Sequence, residues 1–372
     1  MLPQLPSLPG GRLKRWARLL VLAHAFAKEV LICIGRYPLR DVLFALRYGF
    51  AADRVYLYGR QGIVSGTYMS DLQRQFCRFI NPKPVRELLE DKLLFAALVG
   101  RWVAVPTNYL YSSNKRCVVL TDEWRKLVQC SDAGMTYRFV MKRARGGGGT
   151  DIRVVEVSNG RIKIDNENMD LSRFYRFFSS ADEYLLCQFI EQCDFSRRIY
   201  PHVTNTLRLI CMRDNEGKPF VARAVFRIGT ARSKGVDNFG QGGLAVNVSL
   251  ETGQLNVAVE HDASGPRLPT HYQRHPDSGI QIQGERLPHW LSSCDAALSL
   301  MWQLPFVDYV GWDIVLTRAG PVFLEGNNYT GVRLAQINSG LLGEHRIRDF
   351  YQRYGIVSPI RDLPAAVLSE CR

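Results

Sequence analysis

Hydrophobic residues recur at helical spacing along the first part of the chain. Leu13, Trp16 and Leu20 follow this spacing, and a mostly helical pattern continues to about residue 80. The proline-rich stretch MLPQLPSLPGG before it predicts a disordered tail. The segment PVRELLEDKLLFAALVG, after an Asn-Pro-Lys-Pro turn, predicts one further helix that ends at Gly100.

Short apolar segments that are typical of strands dominate the rest of the chain. The segment DIRVVEVSNGRIKI predicts a hairpin that turns at Asn159-Gly160. Strand patterns are frequent from 205 to 260, a helix is expected over 288–303, and a strand pair over 311–325. The pattern therefore predicts an α+β protein with antiparallel sheets and helices on their faces.

Length and composition favour a globular protein with more than one domain. The 372 residues exceed what one ordinary core needs, and 46% of them are hydrophobic against 22% charged. Nine cysteines occur without a CxxC pair, which favours reduced thiols in a cytoplasm over a disulfide framework or a zinc site. We therefore expect a cytoplasmic protein.

The net charge of +13 is unevenly distributed, since residues 1–60 carry ten Lys or Arg against three Asp or Glu. A basic surface attracts nucleic acid, anionic lipid or an acidic substrate. No RNP-like aromatic motif, zinc finger or basic region with heptads occurs in the sequence. We therefore expect no nucleic-acid partner.

The apolar stretch ARLLVLAHAFAKEVLICIG does not have the composition of a membrane span, because His24, Lys28 and Glu29 interrupt it. Two interpretations of residues 12–30 stay open. One is a core-packed helix with a solvated basic face, and the other is a helix in peripheral contact with an anionic membrane.

The segment GWDIVLTRAGPVFLEGN, residues 311–327, predicts a hairpin that carries two carboxylates at one end. With a turn centred on Ala319, Asp313 lies directly opposite Glu325, and Asn327 joins the same face of the hairpin. This register predicts three pairs, namely Thr317 with Pro321, Val315 with Phe323, and Asp313 with Glu325.

Two carboxylates and an amide oxygen without a nearby His or Cys indicate Mg²⁺ or Mn²⁺ as the bound metal. Unpaired like charges that face each other would be unfavourable, so a cation is expected between them. The alternative is that Asp313 and Glu325 cap turns or pair with arginines separately. The predicted metal ligands are Asp313, Glu325 and Asn327.

The stretch RFVMKRARGGGG combines a strand with Lys142 and four glycines, Gly146, Gly147, Gly148 and Gly149. Glycines let backbone N–H groups approach a phosphate closely, and Lys142 would add a cation. Neither a G-x-x-x-x-G-K-[ST] loop nor a G-x-G-x-x-G fingerprint occurs. A phosphate-gripping loop and a flexible linker therefore both stay open on these residues alone.

The order of the motifs resembles the ATP-grasp superfamily. Asp91-Lys92 is followed by Lys142 with the glycines, then by CQFIEQ, NTLR and GWD…EGN. More narrowly, NTLRLICMRDNEGKPFVARAVFRIG, VDNFGQGGLAVNVSLETGQL, HPDSGIQIQGERLPHW and VGWDIVLTRAGPVFLEGN resemble the sugar-transfer-associated ATP-grasp family. The resemblance extends from about residue 45 to about residue 335.

This resemblance implies an ATP-grasp fold, in which two α+β lobes grip ATP, together with a helical N-terminal region. It implies a division of the chain into a disordered tail at 1–11, a helical N-terminal region at 12–80, an N-lobe at 81–135, a lid subdomain at 136–200, a C-lobe with the metal site at 201–345, and a C-terminal segment at 346–372.

The resemblance also implies roles in binding ATP. Lys92 and Lys142 would contact the nucleotide phosphates, with the glycine loop as a lid over them. The backbone from Gln188 through Phe189 to Ile190 would lie against adenine, and Asp194 would meet the ribose. Cys187 stands where many relatives carry glutamate, so a side-chain contact to the nucleotide is in doubt there.

Catalytic and acceptor-binding roles are implied for residues on the strands and loops of the C-lobe. Arg208 and Arg227, on adjacent predicted strands, could clamp the migrating phosphoryl group or the carboxylate, and Arg208 is the stronger candidate. A structural ion pair is the alternative for each of them. The candidate substrate-binding residues are Asn205, Asp237, Asn238, Gly242, Gly243 and His275, with a mobile loop and a simple turn as the alternatives for the last five.

The function implied is an ATP- and Mg²⁺-dependent carboxylate–amine ligase that works through an acyl phosphate, because such chemistry requires charge neutralisation and positioning rather than an enzyme nucleophile. A small-molecule or saccharide carboxylate and an amine would be its partners. Two alternatives stay open, namely an ATP-grasp phosphotransferase and a non-catalytic basic binding module.

Overall fold

A computed structural model describes most of the chain. The described residues are 12–129, 135–146, 151–158, 160–233 and 235–358. The predicted disordered tail at 1–11 lies outside them, as do Gly147, Gly148, Gly149 and residues 359–372 of the C-terminal segment.

The first of two antiparallel sheets is built from seven strands in the middle of the chain. Its order is β2-β1-β7-β3-β4-β5-β6. The strands are β1 Asn108–Ser113, β2 Arg116–Val119, β3 Thr136–Arg143, β4 Arg153–Ser158, β5 Arg161–Ile164, β6 Glu167–Met169 and β7 Tyr184–Gln188. Ser158 pairs with Arg161, so the hairpin predicted at Asn159-Gly160 is confirmed by the register of β4 and β5.

The second sheet is also seven-stranded and antiparallel, with the order β12-β11-β10-β9-β8-β13-β14. Its strands are β8 Thr206–Arg213, β9 Pro219–Ile228, β10 Leu244–Val248, β11 Leu255–Glu260, β12 Thr270–Tyr272, β13 Tyr309–Leu316 and β14 Pro321–Asn327. The α+β class with antiparallel sheets is therefore confirmed.

Helices precede the sheets and cover their faces. The four-helix N-terminal region consists of α1 Arg12–Cys33, α2 Leu39–Arg47, α3 Asp53–Val64 and α4 Asp71–Phe76. The others are α5 Lys83–Glu90, α6 Lys92–Val99, α7 Glu123–Gln129, α8 Leu171–Ser180, α9 Asp194–Ile199, α10 Trp290–Gln303 and α11 His345–Arg353. In the part of the chain that the structure describes, no helix is long and apolar enough to cross a membrane.

One helix prediction was wrong. The segment before Gly100 forms two helices, α5 and α6, because Asp91 adopts an extended conformation with φ −92° and ψ 109°. Its carboxylate accepts hydrogen bonds from the backbone N–H groups of Leu93 and Leu94, at 3.0 and 3.1 Å, and thereby caps α6. The hydrophobic spacing continues through Asp91, so the spacing alone does not indicate the break between α5 and α6.

The second sheet is buried on both faces. Alternate residues of β9 point to opposite sides, so Phe226 packs into a core with α5, α6 and α10, whereas Val225 packs into a core with α1, α4 and α11. The first sheet has one core, in which Phe139 of β3 packs with Trp124 of α7 and Phe174 of α8. The expected boundary between an N-lobe at 81–135 and a lid at 136–200 runs through this first sheet.

Candidate active site

The two predicted carboxylates face each other across β13 and β14. Asp313 pairs with Glu325, and Gly311 pairs with Asn327, so this part of the predicted register is confirmed. Nearer the turn the prediction was wrong by one residue, because the structure pairs Leu316 with Pro321, Val315 with Val322 and Ile314 with Phe323.

A β-bulge between Asp313 and Ile314 reconciles the two registers. The turn has four residues, 317–320, instead of three, and Thr317 closes it by donating its N–H and its hydroxyl to the Gly320 carbonyl at 3.0 and 2.8 Å. One extra residue on β14 then restores the pairing that brings the carboxylates together.

Arg208 of β8 binds Asp313 with two parallel hydrogen bonds. Its Nε bonds to Oδ1, and its Nη2 lies 2.8 Å from Oδ2. The remaining Nη1 donates to the hydroxyl of Thr330 at 2.8 Å. Both charged side chains are buried, at 6% and 4% exposure, so this bidentate pair is held rigidly.

Arg227 of β9, the strand next to β8, joins the same cluster. It donates to Thr206 Oγ1 at 2.7 and 2.9 Å, and it lies 3.3 Å from Asp237 and 3.4 Å from Asp313. Thr206 in turn donates its hydroxyl to Asp237. The two arginines lie on adjacent strands, as predicted, and both contact Asp313, which corresponds to the ion pair that was the alternative to a clamping role.

The arginines set the charge state of the buried acids. Burial would raise the pKa of Asp313, but Arg208 and Arg227 outweigh it and lower that pKa to about 2. Burial raises the pKa of Asp237, and Arg227 only partly opposes this effect. Asp313 is thus an anion at neutral pH although it is almost fully buried.

Lys92 and Asn327 complete the surroundings of Glu325. Lys92 Nζ lies 3.0 Å from Glu325 Oε2 and donates to the Gly146 carbonyl at 2.7 Å. The Asn327 amide lies 3.4 Å from both Glu325 Oε1 and Asp313 Oδ2. The three predicted metal ligands therefore converge on one place, with Lys92 beside them.

The break between α5 and α6 explains how Lys92 and Gly146 meet. Arg145 Nε lies 2.8 Å from the Asp91 carboxylate, and the two residues form a β-bridge. The Lys92 N–H donates to the Ala144 carbonyl at 2.9 Å. The end of β3, where the glycines begin, is thereby fastened beside Glu325 of the second sheet.

Lys142 lies on β3 and is half-buried, and its ammonium group has no hydrogen bond or ion pair with the described residues. Gly146 is exposed and has a φ of 103°, a conformation that favours glycine. The other three glycines lie outside the described residues, so the predicted lid is known here only by its first residue.

The predicted adenine and ribose residues follow β7. The Gln188 N–H donates to the Thr107 carbonyl at 2.8 Å, while Phe189 packs under the guanidinium of Arg138 at 4.2 Å, and Ile190 is half-buried. Asp194 begins α9, and hydrogen bonds from Arg318 and Arg197 lower its pKa.

Two candidate substrate residues are instead engaged with the protein interior. The Asn205 amide donates to Gln192, Ser196 and Tyr200 at 3.0 to 3.1 Å, and its oxygen accepts from Gly229. His275 is 1% exposed, and its Nε2 lies 2.8 Å from the Gly229 carbonyl. Its Nδ1 accepts two backbone N–H groups, so both ring nitrogens already have partners.

The glycine-rich loop places Asp237 in the arginine cluster and surrounds it with close backbone contacts. Asn238 caps a short 3₁₀ turn by accepting the Gly240 N–H at 2.9 Å. A Cβ on Gly243 would lie 2.9 Å from the Asp237 carbonyl oxygen, and Gly242 has a φ of 94°. The loop therefore requires glycine at both positions.

Three residues that support the site were not among the predicted site residues. Thr206 and Thr330 orient the two arginines, and Asp91 positions Lys92 by breaking the helix. Thr206 belongs to the NTLR motif, which could have indicated it. Thr330 lies 122 residues from Arg208, and no local pattern carries that contact.

The donor set fits a hard divalent cation. No group of three or more His, Cys, Asp or Glu side chains is placed to hold a metal among the residues described. Asp313, Glu325 and Asn327 supply two carboxylates and one amide, a set that leaves coordination positions for water and phosphate oxygens, as Mg²⁺ requires. Lys92 and the arginines balance the two negative charges.

The fold and this cluster together define an ATP-grasp protein. The family profile described as sugar-transfer associated ATP-grasp matches residues 71–349. The chain therefore belongs to the sugar-transfer-associated ATP-grasp family. A search of curated protein sequences found no match to it.

Three solved structures illustrate its similarities. VanG D-Ala:D-Ser ligase from Enterococcus faecalis is 13% identical with a TM-score of 0.41, over 73% of this chain and 62% of that one. L-amino acid ligase from Bacillus licheniformis is 10% identical with a TM-score of 0.37, over 73% of this chain and 48% of that one. N5-carboxyaminoimidazole ribonucleotide synthetase from Thermotoga maritima is 13% identical with a TM-score of 0.36, over 73% of this chain and 52% of that one. The chain thus spans about half to three fifths of their lengths.

Proposed function

We propose that this protein is an ATP- and Mg²⁺-dependent carboxylate–amine ligase that activates its carboxylate as an acyl phosphate. The observation that carries the proposal is the convergence of Asp313, Glu325 and Asn327 with Arg208 and Lys92. Such a cluster combines metal ligands with cations that neutralise phosphoryl charge. These are the groups that acyl phosphate formation needs, since it requires no enzyme nucleophile.

Asp313, Glu325 and Asn327 would hold Mg²⁺ or Mn²⁺, with the Asn327 amide turned so that its oxygen faces the ion. The ion supplies charge neutralisation between phosphate oxygens when it is bound. Lys92 would exchange its contact with Glu325 for one with a phosphate oxygen. This exchange is supported by the position of its Nζ, which already lies between Glu325 and the Gly146 carbonyl.

Arg208 and Arg227 have different parts in the proposal. Arg208 uses its Nε and Nη2 on Asp313 and its Nη1 on Thr330, so it chiefly fixes Asp313. Arg227 makes longer contacts to two acids, of 3.3 and 3.4 Å, and is better placed to turn toward a migrating phosphoryl group. Arg227 is half-buried, and this partial removal from water would strengthen that interaction.

The nucleotide residues remain proposals as well. Lys142 would contact phosphate, since its ammonium has no partner among the described residues, and the glycines from Gly146 to Gly149 would close over the phosphates. The backbone of Gln188, Phe189 and Ile190 would meet adenine and Asp194 the ribose. Asn238, Asn205 and His275 would shape the acceptor side indirectly, because Asn205 and His275 bond to backbone groups.

The test is an assay with Mg·ATP, a panel of hexuronates and amino acids, and hydroxylamine as a trapping amine. A ligase releases inorganic phosphate and forms a hydroxamate, whereas a phosphotransferase forms ADP and a phosphoester without phosphate release. A basic binding module forms no ADP. The hydroxamate should disappear in Glu325→Gln and persist in Arg161→Gln, which alters an exposed arginine of the first sheet.

We also propose peripheral contact with anionic lipid, and we extend it from residues 12–30 to α2. Support comes from Leu20, Leu31 and Leu39, which are 69%, 62% and 70% exposed, and from exposed basic residues such as Arg36 and Arg40 nearby. Sedimentation should show binding to phosphatidylglycerol vesicles and none to phosphatidylcholine vesicles. Leu31→Gln/Leu39→Gln should lose this binding, and Leu268→Gln, at an equally exposed leucine elsewhere, should keep it.

A further inference from the structure

Three arginines lie beside the β13–β14 hairpin and have no role in the proposed chemistry. Arg74 belongs to α4, Arg78 to the 3₁₀ turn Cys77–Phe79, and Arg86 to α5. The guanidinium groups of Arg74 and Arg78 lie 4.0 and 4.2 Å from the ring centroid of Tyr329. Tyr329 follows Asn327 by two residues, so the aromatic ring connects these arginines to the end of β14.

The backbone around the three arginines is fixed by buried amides. Asn328 donates to the Arg78 carbonyl at 3.3 Å and accepts from Asn81 at 2.9 Å. Asn81 also donates to the Tyr309 carbonyl at 2.6 Å. The arginine cluster is therefore built onto the second sheet and is not carried by a loose surface loop.

The cluster has more positive charge than its neighbours balance. Arg74 lies 3.6 Å from Glu29, but neither Arg78 nor Arg86 has a carboxylate within ion-pair distance among the described residues. All three Nε atoms are buried and have no hydrogen-bond partner within that same part of the chain. Arg78 and Arg86 are half-buried cations without a carboxylate in ion-pair distance, which is unfavourable, and an incoming anion would relieve this cost.

The arginine cluster lies close to the proposed site of phosphoryl transfer. Arg86 and Glu90 are one helical turn apart on α5, and Glu90 lies within Coulombic range of Arg78, Arg86, Lys92 and Glu325. Arg86 lies about 6 Å along α5 from Glu90, where the helix ends, and Asp91 turns the chain before Lys92. An acceptor whose carboxylate is activated beside Glu325 could thus place a second anionic group at the arginines.

We propose that Arg74, Arg78 and Arg86 bind an anionic group of the acceptor substrate, a phosphate or a second carboxylate. The assignment of this group to the acceptor rests on the proposed ligase function. Guanidinium groups match both anions in geometry, and several of them together favour a group with two or more accepting oxygens. The acceptor would then be at least dianionic before activation, which fits the basic character of the chain.

The test is a calorimetric titration of the full chain with inorganic phosphate and, separately, with succinate. Each titration is run with and without saturating Mg²⁺ and a non-hydrolysable ATP analogue. We expect at least one probe to bind the nucleotide-loaded protein, and Arg78→Gln/Arg86→Gln to weaken this binding at least tenfold. A preference for phosphate would indicate a phosphorylated acceptor, and a preference for succinate a dicarboxylate.

Arg161→Gln is the matched control and should bind the probes as wild type does. Arg86→Gln alone serves if the double variant does not fold. Wild-type protein that binds neither probe, or a folded variant that binds them like wild type, would overturn the inference. The ATP analogue should bind wild type and all variants within twofold. If the ATP analogue does not bind wild type, this result counts against the proposed function. The titration of nucleotide-free protein with phosphate then still tests whether the arginines bind an anion.

Discussion

The two sheets carry their charged residues in opposite ways. All eight residues of β8 and of β13 are buried. Of the charges on them, Arg208 and Asp313 bind each other. Arg213 donates to the backbone carbonyls of Val307, Met301 and Leu304. On β3 of the first sheet burial alternates, and the charged side chains lie on its less buried positions. Lys142 is one of them and has no ion pair among the described residues. A buried sheet therefore fixes the acids and arginines in place, while the exposed sheet presents groups that a nucleotide could still engage.

This difference has a physical basis. A charge that is taken out of water must be paired or fully hydrogen-bonded, and these contacts then fix its orientation before any ligand arrives. A charge at the surface loses little by staying unpaired and can be reoriented at low cost. We expect the second sheet to respond to substitution mainly in stability and the first mainly in ligand affinity.

Breaking the buried ion pair should have the largest effect. Asp313→Ala leaves Arg208 buried with Thr330 as its main partner, and we expect the free energy of unfolding to fall by about 3–5 kcal/mol. Glu191→Ala breaks the exposed pair with Arg138 on the first sheet and should cost less than about 1 kcal/mol. Urea unfolding of both variants measures the difference, and equal losses would contradict the comparison.

A buried histidine should make stability depend on pH. Burial lowers the pKa of His261, at the end of β11, to about 4 from its ordinary value of 6.5. Between these values the unfolded chain binds a proton that the folded protein does not, so acidification from pH 6.5 to pH 4 reduces stability. The pKa difference corresponds to about 3 kcal/mol.

The variant His261→Asn should lose this pH dependence, whereas His271→Asn, at an exposed position on β12, should retain it. Urea unfolding at several pH values between 4 and 7 compares the two variants. A loss of stability on acidification that is as steep in His261→Asn as in wild type would show that the histidine is not the titrating group.

Substitution on the exposed sheet should change affinity without changing stability. Lys142→Gln removes a cation that we expect on a nucleotide phosphate, and a charge-assisted contact of this kind contributes about 1.5–3 kcal/mol, or roughly 10- to 100-fold in affinity. The matched control is Lys163→Gln, on β5 of the same sheet. Calorimetry gives the affinity for the ATP analogue, and thermal unfolding should show similar midpoints for both variants.

A glycine of the second sheet tests how closely the cluster is packed. A Cβ on Gly311 would overlap Thr330 Oγ1 and lie 3.0 Å from Arg208 Cδ, so Gly311→Ala should cost about 1–3 kcal/mol. Gly331→Ala is the control, because a Cβ at Gly331 meets nothing within 4 Å. If the two variants had the same unfolding midpoint, the packing around Arg208 would be looser than described.

The sequence predicted local features of the site well and contacts between distant segments poorly. The pairing of Asp313 with Glu325 follows from a short hairpin, whose alternation can be read along the chain. The bulge beside Asp313 could not be foreseen, because a three-residue and a four-residue turn are both compatible with Arg-Ala-Gly. Asp91 was missed as a helix break because the hydrophobic spacing continues through it, and its contact with Arg145, 54 residues away, cannot be read along the chain.

The central claim is that Asp313 and Glu325 bind a metal ion that holds the nucleotide. Calorimetric titration of an ATP analogue, with and without Mg²⁺, tests it most directly on wild type, on Asp313→Asn/Glu325→Gln and on Arg161→Gln. We predict magnesium-dependent binding by wild type and Arg161→Gln that is lost in the double variant. Absence of binding by folded wild-type protein, or equal magnesium dependence in all three proteins, would contradict the account.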